Sequence, residues 1–341
     1  MADLKQDLLQ QLDSIPDGLL DTSATDVYQV LPRPTLLHLK GKRPDTLFLS
    51  VMLHGNETTG LIAVQKLLKK YQSQLLPRNL SIFFGNVEAA RYQQRRLDGQ
   101  ADFNRIWPGT EYAPCPETRM AQQIVDVMAG HKLFASVDIH NNTGLNPHYG
   151  CINRLDPAYQ QLATLFARFV VYFTRPRGVQ SMAFAQLCPA VTLECGRPEQ
   201  TYGVSHALDF IDSCLNLSEL PTQPVHPQNI DLFHTVAQVK IRPEVEFSFK
   251  QADAALQLDP DLEKMNFFEV PAGTALGWVN HHSGLPLEAR DEHGEDVSSR
   301  YFELHGKELK FKRPTMPSMM TLNERVIKQD CLCYLMERLQ G

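Results

Sequence analysis

Four short polar clusters in this chain have the residue types and spacing to do chemistry: His54-Gly55-Asn56-Glu57, Asp102-Phe103-Asn104-Arg105, Asp138-Ile139-His140-Asn141 and Glu194-Cys195-Gly196. His54 and Glu57 stand three apart with Gly55 between them to allow a tight turn, so an imidazole and a carboxylate can be aimed at one point. His140 brings a second imidazole from a distant part of the chain. Two histidines and a carboxylate with a fourth position open form a donor set of catalytic zinc, so the chain offers one zinc ion a seat on His54, Glu57 and His140. Asp138 precedes His140 by two, which in a strand puts both side chains on one face and lets the carboxylate orient a ligand imidazole. Glu194 is the candidate base, a carboxylate that takes a proton from the attacking water and passes it to a leaving amine. Arg95, Arg96 and Arg105 add positive charge: a guanidinium beside the metal steadies an oxyanion, and Arg105 with Asn104 can hold a substrate carboxylate through paired hydrogen bonds.

Taken singly, each cluster has a plainer reading. A His-x-x-Glu pair recurs by chance in solvated loops, Glu194 before Gly196 can be a capping glutamate, and arginines on a long loop are usually solvated. The argument for a site is that three of the clusters fall at the ends of buried strands, where an unpartnered charge is costly. Leu47 to Leu53 and Ser81 to Val87 are short apolar runs bounded by turn residues, with helical spacing over Thr58 to Tyr71 between them. The alternation continues with a helix over Met120 to Met128, a strand over Ala135 to Ile139, a helix over Tyr159 to Phe169, strands over Val170 to Phe173 and Ala190 to Leu193, and a helix over Val204 to Leu217. This pattern predicts an α/β fold with a mixed, largely parallel sheet flanked by helices, and in such sheets ligands bind beyond the carboxyl ends of the strands.

The texture changes where Pro221, Pro224 and Pro227 crowd a polar stretch that cannot continue a helix. Beyond it, Thr235 to Ile241, Glu244 to Phe249, Ala275 to Val279, Tyr301 to Leu304 and Leu309 to Phe311 read as short strands. The expected organisation is a catalytic domain over 1–222 and a smaller β-rich C-terminal domain over 223–341.

The ordered run of clusters, with Asn142-Thr143 continuing the third, resembles the succinylglutamate desuccinylase and aspartoacylase family, a branch of the zinc carboxypeptidases. The resemblance covers about the first two thirds of the chain, and a β-rich C-terminal domain also goes with that family. It implies zinc on His54, Glu57 and His140, Glu194 as base, Arg96 as the oxyanion arginine with Arg95 as the alternative, and substrate contacts from Asn104, Arg105, Asn141 and Thr143. The arginine that desuccinylases show shortly after the third ligand has no counterpart between Asn141 and Cys151. An ungapped count puts Phe184 where aspartoacylases hold the acyl carboxylate with an arginine, which implies an acyl group that is not acidic. The expected activity is zinc-dependent hydrolysis of an amide in an N-acyl amino acid or similar small carboxylate. A metallocarboxypeptidase acting on short peptides or cell-wall fragments is the alternative, and a non-catalytic metal-binding regulatory protein the third.

Composition narrows the partners. A net charge of -6 with no basic run excludes an evident nucleic-acid or anionic-membrane face. Asp3, Lys5, Asp7 and Asp13 interrupt the leucines of the first twenty residues, so neither a signal nor a membrane span is expected there, and a cytoplasmic location follows. Seven scattered cysteines do not suit a disulfide framework. Cys195, next to Glu194 in a strand, points to the opposite face, and Cys331-x-Cys333 reads as core. Assembly into homo-oligomers is left open.

Overall fold

The computed structural model describes residues 8–198, 200–251, 253–281 and 283–339. Asp3, Lys5 and Asp7 lie outside them. The described residues form two compact units: one runs up to Asn141 and includes His148–Val170 and Pro176–Asp231, and the other takes Asn142–Pro147, Val171–Arg175 and the chain from Leu232 onward.

The first unit is built on β1 (Gln10–Leu12), β2 (Thr35–Leu39), β3 (Gly41–Val51), β4 (Leu76–Phe84), β5 (Leu133–His140), β6 (Tyr149–Ile152), the first two residues of β7 (Phe169–Tyr172), whose last two are counted in the second unit, and β8 (Ala190–Glu194). Its sheet has the order β1-β2-β4-β3-β5-β8-β6. The central strands β4, β3, β5 and β8 are all parallel, and β2 and β6 run against them. Helices α1 (Val27–Val30), α2 (Thr59–Lys70), α3 (Val87–Arg91), α4 (Pro116–Ala129), α5 (Pro157–Thr164), α6 (Gln180–Phe184) and α7 (Thr201–Asn216) fill the connections. Leu47 to Leu53 are buried without a break, as a strand covered on both faces requires. In α2 the buried Leu61, Val64, Leu67 and Leu68 recur at three- and four-residue steps, while Lys66, Lys69 and Lys70 face water, the last two at the end of the helix where positive charge suits its dipole. A Cβ added at Gly60 would come within 2.8 Å of Val51, so α2 lies directly on β3.

The second unit is largely β: β9 (Asp231–Ile241) pairs with β13 (Leu287–Arg290) and β17 (Cys333–Arg338), and β16 (Met316–Ser318) pairs with β17. A separate five-stranded sheet runs β10 (Phe247–Ser248), β11 (Leu256–Leu258), β12 (Ala275–Val279), β15 (Glu308–Phe311) and β14 (Phe302–His305). Two short helices, α8 (Ser298–Tyr301) and α9 (Glu324–Gln329), complete it. The α/β class expected from the sequence is the observed one.

Two strand ends differ from expectation for local reasons. Val87 opens α3 instead of closing β4, because the Asn86 side chain accepts from the Ala89 backbone N–H and caps the helix. Of Glu244 to Phe249 only Phe247–Ser248 is strand, since the chain turns at Arg242–Val245 around Pro243. All seven cysteines are free, and Cys195, Cys331 and Cys333 are buried. No helix among the described residues is long and apolar enough to cross a membrane.

Candidate metal centre

The carboxyl ends of β3, β5 and β8 lie along one edge, in a register that pairs Val51 with Ile139, Ile139 with Leu193, and His140 with Glu194. His140 and Glu194 are therefore neighbours on adjacent parallel strands, about 4.8 Å apart along the hydrogen-bonding direction and facing the same side. His54 reaches this edge by a sharper route. Met52, buried directly after β3, has φ 58°, a left-handed conformation rare outside glycine, and it turns the chain out of the sheet. Gly55 then lies so close to α3 that a Cβ there would sit 2.2 Å from the Ala90 nitrogen. The Gly55 N–H donates to the Arg95 carbonyl, which draws the 92–105 loop over the same place.

His54, Glu57 and His140 offer donor atoms within 4.8 Å of one another, all three side chains are buried, and the group could hold a metal ion. Nδ1 of His54 is 2.8 Å from Glu57 Oε1, and Nδ1 of His140 is 2.7 Å from Glu57 Oε2. The far nitrogens face carboxylates as well: His54 Nε2 lies 3.0 Å from Asp102 Oδ1, and His140 Nε2 lies 2.8 Å from Asp138 Oδ2. With each Nε2–H given to an aspartate, both Nδ1 lone pairs point at a carboxylate that is itself all acceptor. A proton on the ring relieves that opposition, and so does a divalent ion held by the same three donors, which makes the set a fit for a divalent metal. The protonation preferences show how strongly these surroundings favour positive charge on the rings. Burial pushes the Glu57 carboxyl up, but the imidazoles of His54 and His140 outweigh it and hold the group far below the usual carboxylate range. At His140 burial favours the neutral ring, yet Asp138 and Glu57 raise it well above the ordinary histidine value.

A shell of hydrogen bonds fixes these groups. Ser50 donates to Asp138 Oδ1 at 2.6 Å, the Asn141 N–H to Glu57 Oε2 at 3.1 Å, and the Asn104 N–H to Asp102 Oδ1 at 2.8 Å. Asn104 Nδ2 lies 3.3 Å from His140 Nε2, and its Oδ1 accepts from the Gln180 N–H at the start of α6. Asn141 spends its side chain on the scaffold, donating to Thr59 Oγ1 and the Gly196 carbonyl and accepting from the Thr59 N–H. Arg105 Nη1 donates to the Asn104 carbonyl at 2.8 Å, and Arg105 stays partly exposed. Thr143 belongs to the second unit, where its hydroxyl bonds that of Thr321.

The guanidinium at this cluster is that of Arg95: Nη2 is 3.2 Å from Asp102 Oδ2 and Nη1 is 3.7 Å from Glu57 Oε1. Arg96 instead donates to the Gln100 carbonyl. Burial works against ionisation of Asp102, and Arg95 followed by His54 reverses it, holding the carboxyl well below its ordinary value. Sequence reasoning placed Asp102 only in a motif and missed it as the partner of His54. Its distance of 48 residues from that histidine leaves no periodicity to read. Cys195 is a buried thiol whose ionisation is pushed well up by burial and then by Glu194 and Glu57, so it has none of the thiolate character a nucleophile needs.

Residues 44–208 match the model of the succinylglutamate desuccinylase/aspartoacylase catalytic domain. No curated protein matches the chain. Among solved structures, a succinylglutamate desuccinylase from Chromobacterium violaceum is similar at 20% identity, with 87% of this chain and 86% of that one covered and a TM-score of 0.57. A succinylglutamate desuccinylase from Vibrio parahaemolyticus gives 15% identity, 89% and 86% coverage and a TM-score of 0.61. Murine aminoacylase 3 gives 15%, 87% and 96%, and 0.54. At these identities the structures speak for the fold alone, and it is residues 44–208, with the ordered clusters they span, that are similar to the succinylglutamate desuccinylase/aspartoacylase catalytic domain.

Proposed function

We propose that this protein is a zinc-dependent amidohydrolase that releases an uncharged acyl group from an N-acyl amino acid or a similar small carboxylate. The observation that carries the reading is the arrangement of His54 and His140, each with one nitrogen beside an aspartate and the other beside Glu57, which brings three buried donors for one cation within 4.8 Å of one another. Zinc held by His54, Glu57 and His140 would supply a Lewis acid that polarises the amide carbonyl and lowers the pKa of a water.

The rest falls to side chains. Glu194, buried beside His140, takes the proton of the attacking water and returns it to the leaving amine. Arg95 stands against the ligand carboxylate and takes the oxyanion role that the sequence resemblance gives to Arg96. Arg105, partly exposed next to Asn104, holds the substrate carboxylate. Asn141 positions Glu57 through its N–H and ties Thr59 to Gly196. Phe184 is stacked on Phe48 at 4.3 Å inside the core, so the position offers no cation to an acidic acyl group.

The decisive experiment is Glu194→Gln, assayed on N-acetyl and N-succinyl amino acids with metal content measured in parallel. We expect zinc to remain near one per chain and turnover to fall about 10²- to 10⁴-fold. Full activity in the variant, or no activity of the unaltered protein on any N-acyl amino acid, overturns the reading.

A further inference from the structure

The end of β8 is gripped from one side by a histidine that plays no part in the metal centre. Tyr149 pairs with Glu194 across β6 and β8, so His148, one residue earlier, stands opposite Cys195. Cys195 and Gly196 form the turn that carries Glu194. The Cys195 N–H donates to the His140 carbonyl at 3.0 Å, and the Gly196 carbonyl accepts from Asn141. Gly196 has φ 71°, and a Cβ on it would meet Gln200 Oε1 at 2.8 Å and His148 Nε2 at 3.2 Å. A Cβ on Gly203, in the first turn of α7, would come within 2.4 Å of the Cys195 carbonyl oxygen. The turn is thus wedged between the His148 ring and the start of α7.

His148 is itself held by a stack of rings. Its centroid is 5.1 Å from Tyr202, 4.9 Å from His206 and 5.8 Å from Phe166, with interplanar angles of 22° or less, and Phe166 lies 4.2 Å from His206. Nδ1 of His148 and Nδ1 of His206 are 2.6 Å apart. Two nitrogens hold that separation only with one proton between them. With no proton, two lone pairs oppose each other; with two, a pair of cations and two N–H bonds collide. The pair therefore tolerates at most one positive charge.

We propose that His148 is a positioning residue: paired with His206, it clamps the Cys195–Gly196 turn that carries Glu194, and the clamp releases when both rings are protonated. Its catalytic consequence rests on Glu194 being the base; the clamp does not. Burial, then the neighbouring imidazole, holds His148 below the ordinary histidine value, and burial does the same at His206. The Cys195 carbonyl favours protonation of His148, and the Phe166 carbonyl and exposed Asp209 favour protonation of His206. The other titratable groups packed here are the Tyr202 hydroxyl, which donates to Gln200, and the buried Cys195 thiol. Because both rings are harder to protonate in the folded chain than in the unfolded one, their contribution is complete above about pH 6.5 and is lost as the pH falls below it.

The test is hydrogen exchange at the amides of Cys195 and Gly196, corrected for intrinsic rate, at pH 7.5 and 5.5, in the full-length protein and in His206→Phe, which keeps the ring stack and removes the shared proton. We expect exchange in the unaltered protein to rise about tenfold at the lower pH and exchange in the variant to stay level. An identical pH response in the two proteins overturns the clamp. Should the variant fail to fold by circular dichroism, nitrogen NMR of the unaltered protein decides: His148 and His206 must titrate as a linked pair, and two independent titrations at the ordinary histidine value overturn the proposal. The pH profile of kcat/KM on the N-acyl amino acid found active separates the two readings. A turn that loosens in acid with no change of that profile between the two proteins keeps the clamp and removes Glu194 from the base role.

Discussion

At the scale of single residues, the tautomers of two histidines organise the centre. Asp102 and Asp138 each lie within hydrogen-bond distance of one Nε2, and an Nε2–H given to each would leave both Nδ1 atoms facing Glu57 as donors to the proposed metal. Arg95 completes the charge pattern by lying against Asp102 and Glu57 at once. If Arg95 also meets the developing oxyanion, Arg95→Lys loses about 10²-fold in kcat while Arg96→Lys changes it by less than about threefold; steady-state kinetics of the two variants on one substrate measure this, and the reverse ranking restores Arg96. The proximity of His54, Glu57 and His140 was legible because polar side chains at the ends of apolar runs stand out against their surroundings. The choice between Arg95 and Arg96 was not, since adjacent residues on a loop differ in direction only through backbone turns such as that at Gln93, whose φ is 52°. The His148–His206 contact was equally hidden, because it depends on which side of α7 meets β6.

At the scale of elements, close backbone approach decides where His54 stands. The loop after β3 rests on α3 only because Gly55 has no side chain. Gly55→Ala forces a carbon to within 2.2 Å of the Ala90 nitrogen, and the neighbour is backbone that cannot step aside. We expect a loss of about 1–3 kcal/mol in denaturant unfolding together with weaker metal binding, whereas Gly99→Ala, where the added carbon meets nothing but φ is 76°, costs less and leaves the metal affinity as it was. The long helices and buried strands could be read from periodicity: Thr58 to Tyr71 became α2, and Ala135 to Ile139 became β5. Short elements escaped. α3 and α6 have five residues each, too few for a helical period to declare itself, yet they seat Gly55 and bond Asn104.

At the scale of the whole molecule, a metal that binds the folded chain alone adds to its stability. Three buried donors from two strand exits exist as a group only after the sheet has formed, so if they hold the proposed metal, chelation is expected to remove a folding contribution as well as activity. With free zinc a hundredfold above its dissociation constant that contribution is about 2.7 kcal/mol. Differential scanning calorimetry with and without a strong chelator is expected to show Tm falling by roughly 5 °C or more; an unchanged Tm means that the metal is not held by the folded centre. The α/β class was visible in the alternation of patterns. Which residues gather into each compact unit was beyond sequence reasoning, because Asn142–Pro147 and Val171–Arg175 join the second unit from within the stretch that builds the first.

The parallel pairing of β3 with β5 has a consequence for how the chain matures. His140 faces the rim beside Glu194 because Val51 sits opposite Ile139. A slip by one residue in that pairing would swing Asp138 and His140 to the other side of the sheet while hardly altering the apolar surface buried, since β3 and β5 are covered on both faces. Nothing in the oil of the interior would object to the error. An ion held by His54, Glu57 and His140, as proposed above, would, because those donors meet only in the correct alignment, and its binding would then tell a finished chain from a compact but misaligned one.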